Sequence, residues 1–507
     1  MLDRRSTLKL AGTALAAAGA APGTLRAQTP SRDTIVVAQG ADAYTMDPAK
    51  HSVFPTANIL FHIYEALVTQ DETGKFLPLL ALSWSNPEPT VWEFKLRPGV
   101  KFHNGEAFDA AAVKFSFDRA LDPEFKSPYR SRIAVIKSVT VVDALTVRFA
   151  TEKPYPTMLS TLYEASFPAL IVPPAHVKAG GPDALARRAI GTGPYRFVEW
   201  AKDERVVIEA NPDYWGGAPK IRRIVWRPIP EARTRIAELK SGGIDLGGDI
   251  PPEEIAGLNS GRTRVINVNS DLLYFVGLDT LKPGPLQDKR VRQALNHAVD
   301  ADAMQRTLLA GLGQRIAVTL PRNAFGYDES VQPYAYDPAR AKQLLAEAGH
   351  PNGFKIQLIT RQGRYLKDKE VTQAVAGYLA RVGVEVELKY VEPGVWAQIS
   401  ERKGRDGLSF GGWSGMDADL VWYPLLFTGQ YQSYYSNKEL DELLIKGRST
   451  LDDGERKAAY AAAARLIKEE APHIPLFVPP LIYATSTRLA WVPRTDSMID
   501  LRRAEIR

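Results

Sequence analysis

Between residues 353 and 391 the chain alternates two strand patterns with one helical pattern. GFKIQLIT at 353–360 predicts a strand, KEVTQAVAGYLARVG at 369–383 a helix, and VEVELKYV at 384–391 a second strand with its apolar residues on one face. A strand–helix–strand unit of this kind folds as a parallel pair joined by a right-handed crossover. We therefore expect an α/β protein.

The length of the chain suggests more than one domain. At 507 residues, about three domains of ~100–200 residues each are expected. Alternating runs at 91–102 and 138–150 predict a β-rich middle section, and a helix capped by Asp109 is predicted between them. Further along, single helices are predicted at 288–311 and 337–349 from their apolar faces and flanking Asp and Gly residues.

The first 27 residues have the features of an export signal. Arg4 and Arg5 precede an Ala-rich stretch that ends in Leu25-Arg26-Ala27, a plausible cleavage site. The paired arginines resemble a twin-arginine signal, and the general secretory route also remains open. Removing this segment takes away four basic residues and one acid, which lowers the formal net charge from +6 to +3.

Composition excludes several classes of protein. The chain has no cysteine, which excludes disulfides, Fe–S clusters, thiolate zinc and lipid attachment through an N-terminal cysteine. The small positive charge contains no long basic run, so nucleic acid is not an expected partner. After residue 27, no run of ~18 apolar residues predicts a membrane span. We expect an exported, soluble periplasmic protein without a lipid anchor.

Motifs for catalysis, cofactors or metals are incomplete. The seven histidines are scattered without the i, i+4 spacing of a helical metal site, so no metal is expected. GWSGM at 412–416 approaches a G-x-S-x-G elbow, but Met416 stands at its fifth position and no helix with a small-residue start is expected after it. GTGPYR at 191–196 lacks the last glycine of a dinucleotide fingerprint. Paired carboxylates could still serve glycoside hydrolysis, so a secreted hydrolase remains an alternative.

The segment GGWSGMDADLVWYP at 411–424 places two acids among glycines and aromatic residues. Asp417 and Asp419 lack the further acids that a calcium loop requires. A buried carboxylate can instead hold a cation, because a buried ammonium group must be neutralised and hydrogen-bonded. The segment by itself leaves open whether these acids hold a cation, catalyse proton transfer or lie in solvent.

Six further segments resemble one bacterial family in their order along the chain. They are LRPGVKFHNGEAFDAAAVKFSFDRA at 96–120, GTGPYRFVEW at 191–200, NPDYWGGAPKIRRIVWRPI at 211–229, PLQDKRVRQALNHAVD at 285–300, YDPARAKQLLAEAGHPNGF at 336–354 and EEAPHIPLFVPP at 469–480. The chain resembles the periplasmic dipeptide- and oligopeptide-binding proteins of ABC importers, the extracellular solute-binding family 5.

This resemblance implies a periplasmic binding protein of type II, with two α/β lobes, a two-strand hinge and an extra domain inserted in the first lobe. Lobe I would combine residues 28–76, 191–282 and 485–507. The β-rich insert would span 77–190 and lobe II 283–484. The two crossings between the lobes are expected near 281–284 and 478–483, and hinge motion there would close the lobes around a ligand.

The resemblance also implies a function. Such a receptor binds a short peptide or peptide-like solute between its lobes, as a monomer without a cofactor, and delivers it to the permease subunits of an ABC importer in the inner membrane. Opines, glutathione, oligosaccharides, nickel chelates and haem are alternative ligands within the same family.

In the peptide-binding members, an acid after the Gly-Trp loop holds the ligand's ammonium group and an arginine after a strand holds its carboxylate. Asp419 is the nearest match to the acid, with Asp417 as the weaker candidate. Arg361 and Arg364 both follow a strand, and either could serve as the arginine. Aromatic candidates for the pocket walls, chosen because rings bury area while tolerating varied ligands, are Tyr44, Trp396, Trp413, Tyr434 and Tyr435.

Overall fold

The structure is a computed structural model that describes residues 33–361 and 364–507. The predicted export signal at 1–27 lies outside the described residues. Within the described ranges, no helix is both long and apolar enough to cross a membrane.

A seven-stranded mixed sheet forms the first large layer. Its central strand, Thr34–Gln39, is apolar at residues 35–38 and pairs in parallel with strands on both sides. A strand buried on both faces is expected to have such a continuous apolar run. In spatial order the strands are Thr263–Asn269, Pro480–Ser486, Leu246–Gly247, Thr34–Gln39, Arg223–Pro228, Arg205–Ala210 and Tyr195–Ala201.

A six-stranded sheet contains the strand–helix–strand unit predicted from the sequence. Phe354–Arg361 pairs in parallel with Val384–Val391, and the helix Asp368–Ala380 connects them. This part of the α/β prediction is confirmed. In spatial order the strands are Gln314–Arg315, His473–Val478, Leu272–Leu278, Leu408–Ser414, Phe354–Arg361 and Val384–Val391.

The predicted β-rich section forms a four-stranded antiparallel sheet. Its order is Ala81–Glu88, Val91–Leu96, Thr146–Thr151 and Ile136–Asp143. The predicted cap is confirmed, since the Asp109 side chain accepts a hydrogen bond from the Ala112 amide at 2.9 Å. Two small two-stranded sheets pair Val68–Gln70 with Phe76–Pro78 and Leu489–Ala490 with Glu505–Ile506.

Helices cover the sheets and connect their strands. The α-helices are Phe54–Leu60, Ala110–Leu121, Arg130–Ile133, Met158–Thr161, Pro174–Gly180, Ala232–Ser241, Lys289–Ala298, Ala301–Leu308, Pro338–Glu347, Asp368–Ala380, Pro393–Glu401, Ala418–Leu426, Lys438–Arg448 and Asp453–Glu470. Short 3₁₀ turns lie at Pro48–Lys50, Pro123–Phe125, Glu164–Ser166, Pro252–Gly257 and Pro285–Gln287.

The helix predicted at 288–311 is two helices in the structure. Val299 has an extended backbone, with φ −102° and ψ 117°, which ends the first helix. The Asp300 side chain then accepts a hydrogen bond from the Ala303 amide at 2.8 Å and caps the second. A local capping interaction thus overrides the apolar periodicity that predicted one continuous helix.

The chain crosses between the two large sheets twice. The first crossing is at Ser270 and Asp271, between the strands Thr263–Asn269 and Leu272–Leu278, rather than near 281–284 as predicted. The strand pairing explains the difference, because Leu272–Leu278 belongs to the six-stranded sheet. The second crossing is at Pro479, within the predicted 478–483. A hydrogen bond joins the two crossing segments, because the Ser270 hydroxyl donates to the Pro479 carbonyl at 2.9 Å.

The apolar cores follow the sheets. One continuous core joins the four-stranded sheet to a face of the seven-stranded sheet, through residues such as Phe94, Phe149, Ile35 and Trp226. A smaller core covers the opposite face of the seven-stranded sheet. Two further cores lie against the six-stranded sheet. The predicted boundaries of the three domains stay a prediction, which limited proteolysis can test.

Candidate ligand site

The predicted site segments lie at one edge of the six-stranded sheet. Phe354–Arg361 and Leu408–Ser414 are neighbouring parallel strands, so the segments after their carboxyl ends meet at the same edge. The first crossing lies there too, because Leu272 pairs with Ser414. In α/β proteins, ligands bind beyond the carboxyl ends of such strands.

The helix Ala418–Leu426 follows the Gly-Trp strand closely, although the sequence predicted no helix there. Asp417 is its N-cap and accepts a hydrogen bond from the Asp419 amide at 2.9 Å. The side chain of Asp417 also accepts two hydrogen bonds from Arg456, at 2.9 and 2.8 Å. Burial raises the pKa of Asp417, and the Arg456 charge opposes that shift. Asp417 is therefore occupied by contacts within the protein.

Asp419 has weaker partners. Its side chain is buried, with the residue 3% exposed. Arg448 forms an ion pair with it, with Nε 3.4 Å from Oδ1, and Oδ1 has no hydrogen-bond partner among the described residues. Burial raises the pKa of Asp419 to about 6, and the nearby Asp417 charge adds to this rise. An acceptor without a hydrogen bond in a buried setting suits a ligand ammonium group.

Arg361 differs from Arg364 in its surroundings. The guanidinium of Arg361 donates to the Tyr365 hydroxyl and packs over the Trp396 ring at 4.8 Å, while its buried Nε has no partner among the described residues. Burial lowers the pKa of Arg361. Arg364 is exposed, and its main-chain amide donates to Asp368 at 2.8 Å. Arg361 thus offers the buried guanidinium of the two.

The aromatic candidates lie in several places. Trp396 and Tyr434 are buried and share Arg405, whose guanidinium lies 4.9 and 4.5 Å from their rings. Half-buried Trp413 donates to the Leu420 carbonyl at 2.8 Å and so packs beside the two acids. These contacts bring Arg361, Trp396 and Tyr434 into one cluster.

The other two aromatic candidates lie apart from that cluster. Tyr435 is buried, and its hydroxyl contacts Glu470 at 3.3 Å and Asn437 at 3.1 Å. Tyr44 is 73% exposed, and its main-chain amide donates to the Thr56 hydroxyl at 2.8 Å. Their assignment to the ligand site stays a prediction.

Four basic or aromatic residues around the predicted site residues were not predicted from the sequence. Arg448 and Arg456 pair with the two acids, Arg448 also stacks over Tyr423 at 3.3 Å, and Arg405 contacts Trp396. Only Arg405 could have been suspected, because it lies in the basic RKGR run before the Gly-Trp strand. The other pairings join residues tens of positions apart, which no local pattern records.

A cavity of about 910 Å³ borders the segment that carries the acids, and its walls come from both halves of the molecule. Residues 73–76, 156, 157, 159 and 160 come from one half, and residues 323–329, 416, 417, 453, 457 and 461 come from the other. A second cavity, of about 950 Å³, lies near Trp215 and Trp491 and includes none of the predicted site residues. Binding pockets commonly span ≈ 300–1,000 Å³, so volume alone does not choose between them.

Known proteins resemble this chain over nearly its full length. The family model "Bacterial extracellular solute-binding proteins, family 5 Middle" matches residues 75–435. "Glutathione-binding protein GsiB" from Pectobacterium atrosepticum is 31% identical over 490 residues, which cover 94% of each chain.

Solved structures resemble it as well. DppA from Helicobacter pylori, solved in complex with peptide STSA, matches with a TM-score of 0.77 and 28% identity, covering 93% of this chain and 98% of that one. AgaA from A. tumefaciens R10, solved with agropinic acid, matches with a TM-score of 0.76 and 26% identity, covering 94% and 99%. The predicted type II binding-protein fold is thereby confirmed. The chain belongs to the bacterial extracellular solute-binding proteins of family 5.

Proposed function

We propose that this protein is a periplasmic receptor that binds a short peptide or peptide-like solute between its two lobes and delivers it to an ABC import permease. The observation that carries the proposal is that unlike charges lie at one edge of the six-stranded sheet. Arg361 ends the strand Phe354–Arg361, Asp419 follows the neighbouring parallel strand Leu408–Ser414, and each has a buried polar atom without a hydrogen-bond partner among the described residues. A zwitterionic solute can supply an ammonium group to one and a carboxylate to the other.

Relatives support this class of ligand. GsiB is named a glutathione-binding protein, and DppA was solved with a peptide. AgaA, solved with agropinic acid, keeps opines among the ligands to be tested. All three names describe binding or transport, which supports a receptor that leaves its ligand chemically unchanged.

One of the sequence-based arguments against the hydrolase alternative, the absence of a helix after the Gly-Trp strand, does not hold in the structure. A helix does begin at Ala418 after the Gly-Trp strand, so only Met416 separates GWSGM from the elbow motif. The test is incubation of the protein with each ligand, followed by mass spectrometry. We expect the ligand to be recovered intact, and a hydrolysed product would contradict the receptor proposal.

Titration calorimetry of the mature protein tests the proposal directly. The panel comprises di- to pentapeptides, glutathione, agropinic acid and malto-oligosaccharides, with nickel and haem as separate titrations. We expect saturable binding of at least one amine- and carboxylate-bearing solute, with one site per chain. Binding confined to oligosaccharides, nickel or haem would overturn the peptide assignment.

Export, the absence of a lipid anchor, a monomeric state and the lack of a nucleic-acid partner belong to the same proposal. Cell fractionation and light scattering of the purified protein test the first three. Protein found in the membrane fraction, or a mass of two chains, would contradict the corresponding part.

A further inference from the structure

Arg361, the proposed partner of the ligand carboxylate, and Arg405 pack against one tryptophan ring. The guanidinium carbons of Arg361 and Arg405 lie 4.8 and 4.9 Å from the centroid of Trp396. Arg405 is 8% exposed, and the Nε atoms of both arginines are buried without a hydrogen-bond partner among the described residues. The ring holds both guanidinium groups in place but supplies no negative charge.

The nearby acids do not neutralise this pair. Asp279 and Asp406 lie 3.9 and 3.8 Å from the Nζ of Lys282, so both are shared with that lysine. Among the ion pairs of the described residues, neither Arg361 nor Arg405 has a carboxylate partner. Arg405 donates instead to the neutral side chain of Gln432.

Other titratable groups around Arg405 are cationic or neutral. Lys403 lies 5.2 Å from the Tyr434 ring and donates to main-chain carbonyls. His473, whose pKa burial lowers to about 3, is neutral at physiological pH. The cluster of Arg361, Arg405, Lys403, Trp396 and Tyr434 therefore carries a surplus of positive charge in a desolvated setting, where a bound anion offsets the cost of burial.

We infer that Arg361 and Arg405 form a two-guanidinium subsite for a ligand end that carries two carboxylates. Each guanidinium has planar N–H donors suited to a carboxylate oxygen pair, so two arginines on one ring can take two carboxylates. The inference rests on the proposed function for the rest of the ligand. It narrows the solute class to peptide-like diacids, such as peptides that end in an acidic residue.

The subsite can be tested with malonate, a small dicarboxylate that needs no peptide contacts. Calorimetry of the wild-type protein is carried out at fixed ionic strength, with acetate as the monocarboxylate comparison. We expect saturable binding of malonate that acetate does not reproduce, and at least about a tenfold loss of malonate affinity in Arg405→Met. The control is Arg381→Met, an exposed arginine over the Tyr378 ring at 4.7 Å, which should change nothing.

A second arm compares the dipeptide Ala-Asp, whose C-terminal residue carries two carboxylates, with Ala-Asn, whose C-terminal residue carries one. The wild-type protein should prefer the diacid, Arg405→Met should lose the preference, and Arg405→Lys should retain part of it. The lysine variant and the wild-type malonate titration keep the test valid if Arg405→Met folds poorly.

The outcomes separate this inference from the proposed function. Saturable binding of neutral dipeptides without binding of malonate, or with Arg405→Met unchanged, overturns the subsite and leaves the receptor standing. Malonate binding that depends on Arg405, without binding of any peptide, supports the subsite and overturns the peptide receptor. Failure of both malonate and the peptide panel overturns both.

Discussion

One guanidinium nitrogen of Arg456, Nη2, lies 2.9 and 2.8 Å from the two carboxylate oxygens of Asp417, and both side chains are buried. The same carboxylate caps the helix Ala418–Leu426. Asp417 therefore has a structural role, because it caps this helix and pairs with Arg456. Asp419, in contrast, retains a carboxylate oxygen without a hydrogen bond among the described residues.

Asp417→Asn is expected to destabilise the protein by about 3–5 kcal/mol, because the cap can persist but buried Arg456 keeps only the distant, exposed Asp453 carboxylate at 3.9 Å as an ion-pair partner. Urea denaturation measures the change in the free energy of unfolding. Asp452→Asn is the matched control, since Asp452 caps the helix Asp453–Glu470 at an exposed position without a buried partner. Equal losses in the two variants would show that capping alone explains Asp417.

Asp419→Asn should weaken the binding of an amine-bearing ligand by about 3–5 kcal/mol, or roughly two to four decades of affinity. The carboxylate must be charged to hold an ammonium group, and its pKa in the free protein is raised to about 6. Wild-type affinity should accordingly fall as the pH drops below 6. Calorimetry of the tightest peptide between pH 5 and 8 measures both effects, and an Asn variant with the same pH profile would remove Asp419 from the ligand site.

An ion pair joins Glu253, in the turn Pro252–Gly257 beside the seven-stranded sheet, to Lys367, which precedes the helix Asp368–Ala380 of the six-stranded sheet. The Lys367 Nζ lies 2.8 Å from the Glu253 Oε1. Glu253→Gln removes this contact and should favour the open arrangement of the lobes. Because the pair is partly exposed, the effect should be about 1 kcal/mol or less, which is at most about fivefold in ligand affinity. Calorimetry and small-angle scattering of the ligand-free protein measure the shift.

Glu370 provides the control for this prediction, since it lies 3.7 Å from the same lysine within the same half of the molecule. Glu370→Gln should leave the scattering profile unchanged. If both variants alter it equally, the lysine acts locally and does not join the lobes.

Asp271 lies at the first crossing, where burial and the charge of Asp496 raise its pKa to about 7. Its folded pKa is above its unfolded value, so the charged form costs stability above pH 7 and this cost disappears as the pH falls. Asp271→Asn should therefore raise the melting temperature at pH 8 and have a smaller effect at pH 5. A loss of stability at pH 8 would show that the carboxylate is needed at the crossing.

Asp496 is the natural comparison for that variant. Its carboxylate pairs with buried Arg494 at 2.6 Å, so Asp496→Asn should destabilise the protein where Asp271→Asn stabilises it. Opposite signs for two neighbouring acids would separate a paired carboxylate from an uncompensated one.

Local signals predicted much of the secondary structure. The caps at Asp109 and Asp337 and the strand–helix–strand unit at 353–391 depend on residues within a few positions of each other, and they are present in the structure. The break at Val299 and the first crossing at Asp271 were missed. The break at Val299 depends on a local cap by Asp300 that competes with the apolar periodicity. The first crossing depends on the pairing of Leu272–Leu278 with a strand far along the chain, which apolar periodicity does not report.

The order of residues along the chain is enough to indicate the α/β class, the family resemblance and the set of charged and aromatic residues from which a site could be built. How those charges are used depends on the three-dimensional packing. Arg456 reaches Asp417 across 39 positions, and Arg405 meets Arg361 at Trp396, which lies 35 residues beyond Arg361 in the chain. Whether a charge is neutralised or free depends on such distant contacts and on burial, because desolvation penalises a charge only where the fold removes it from water.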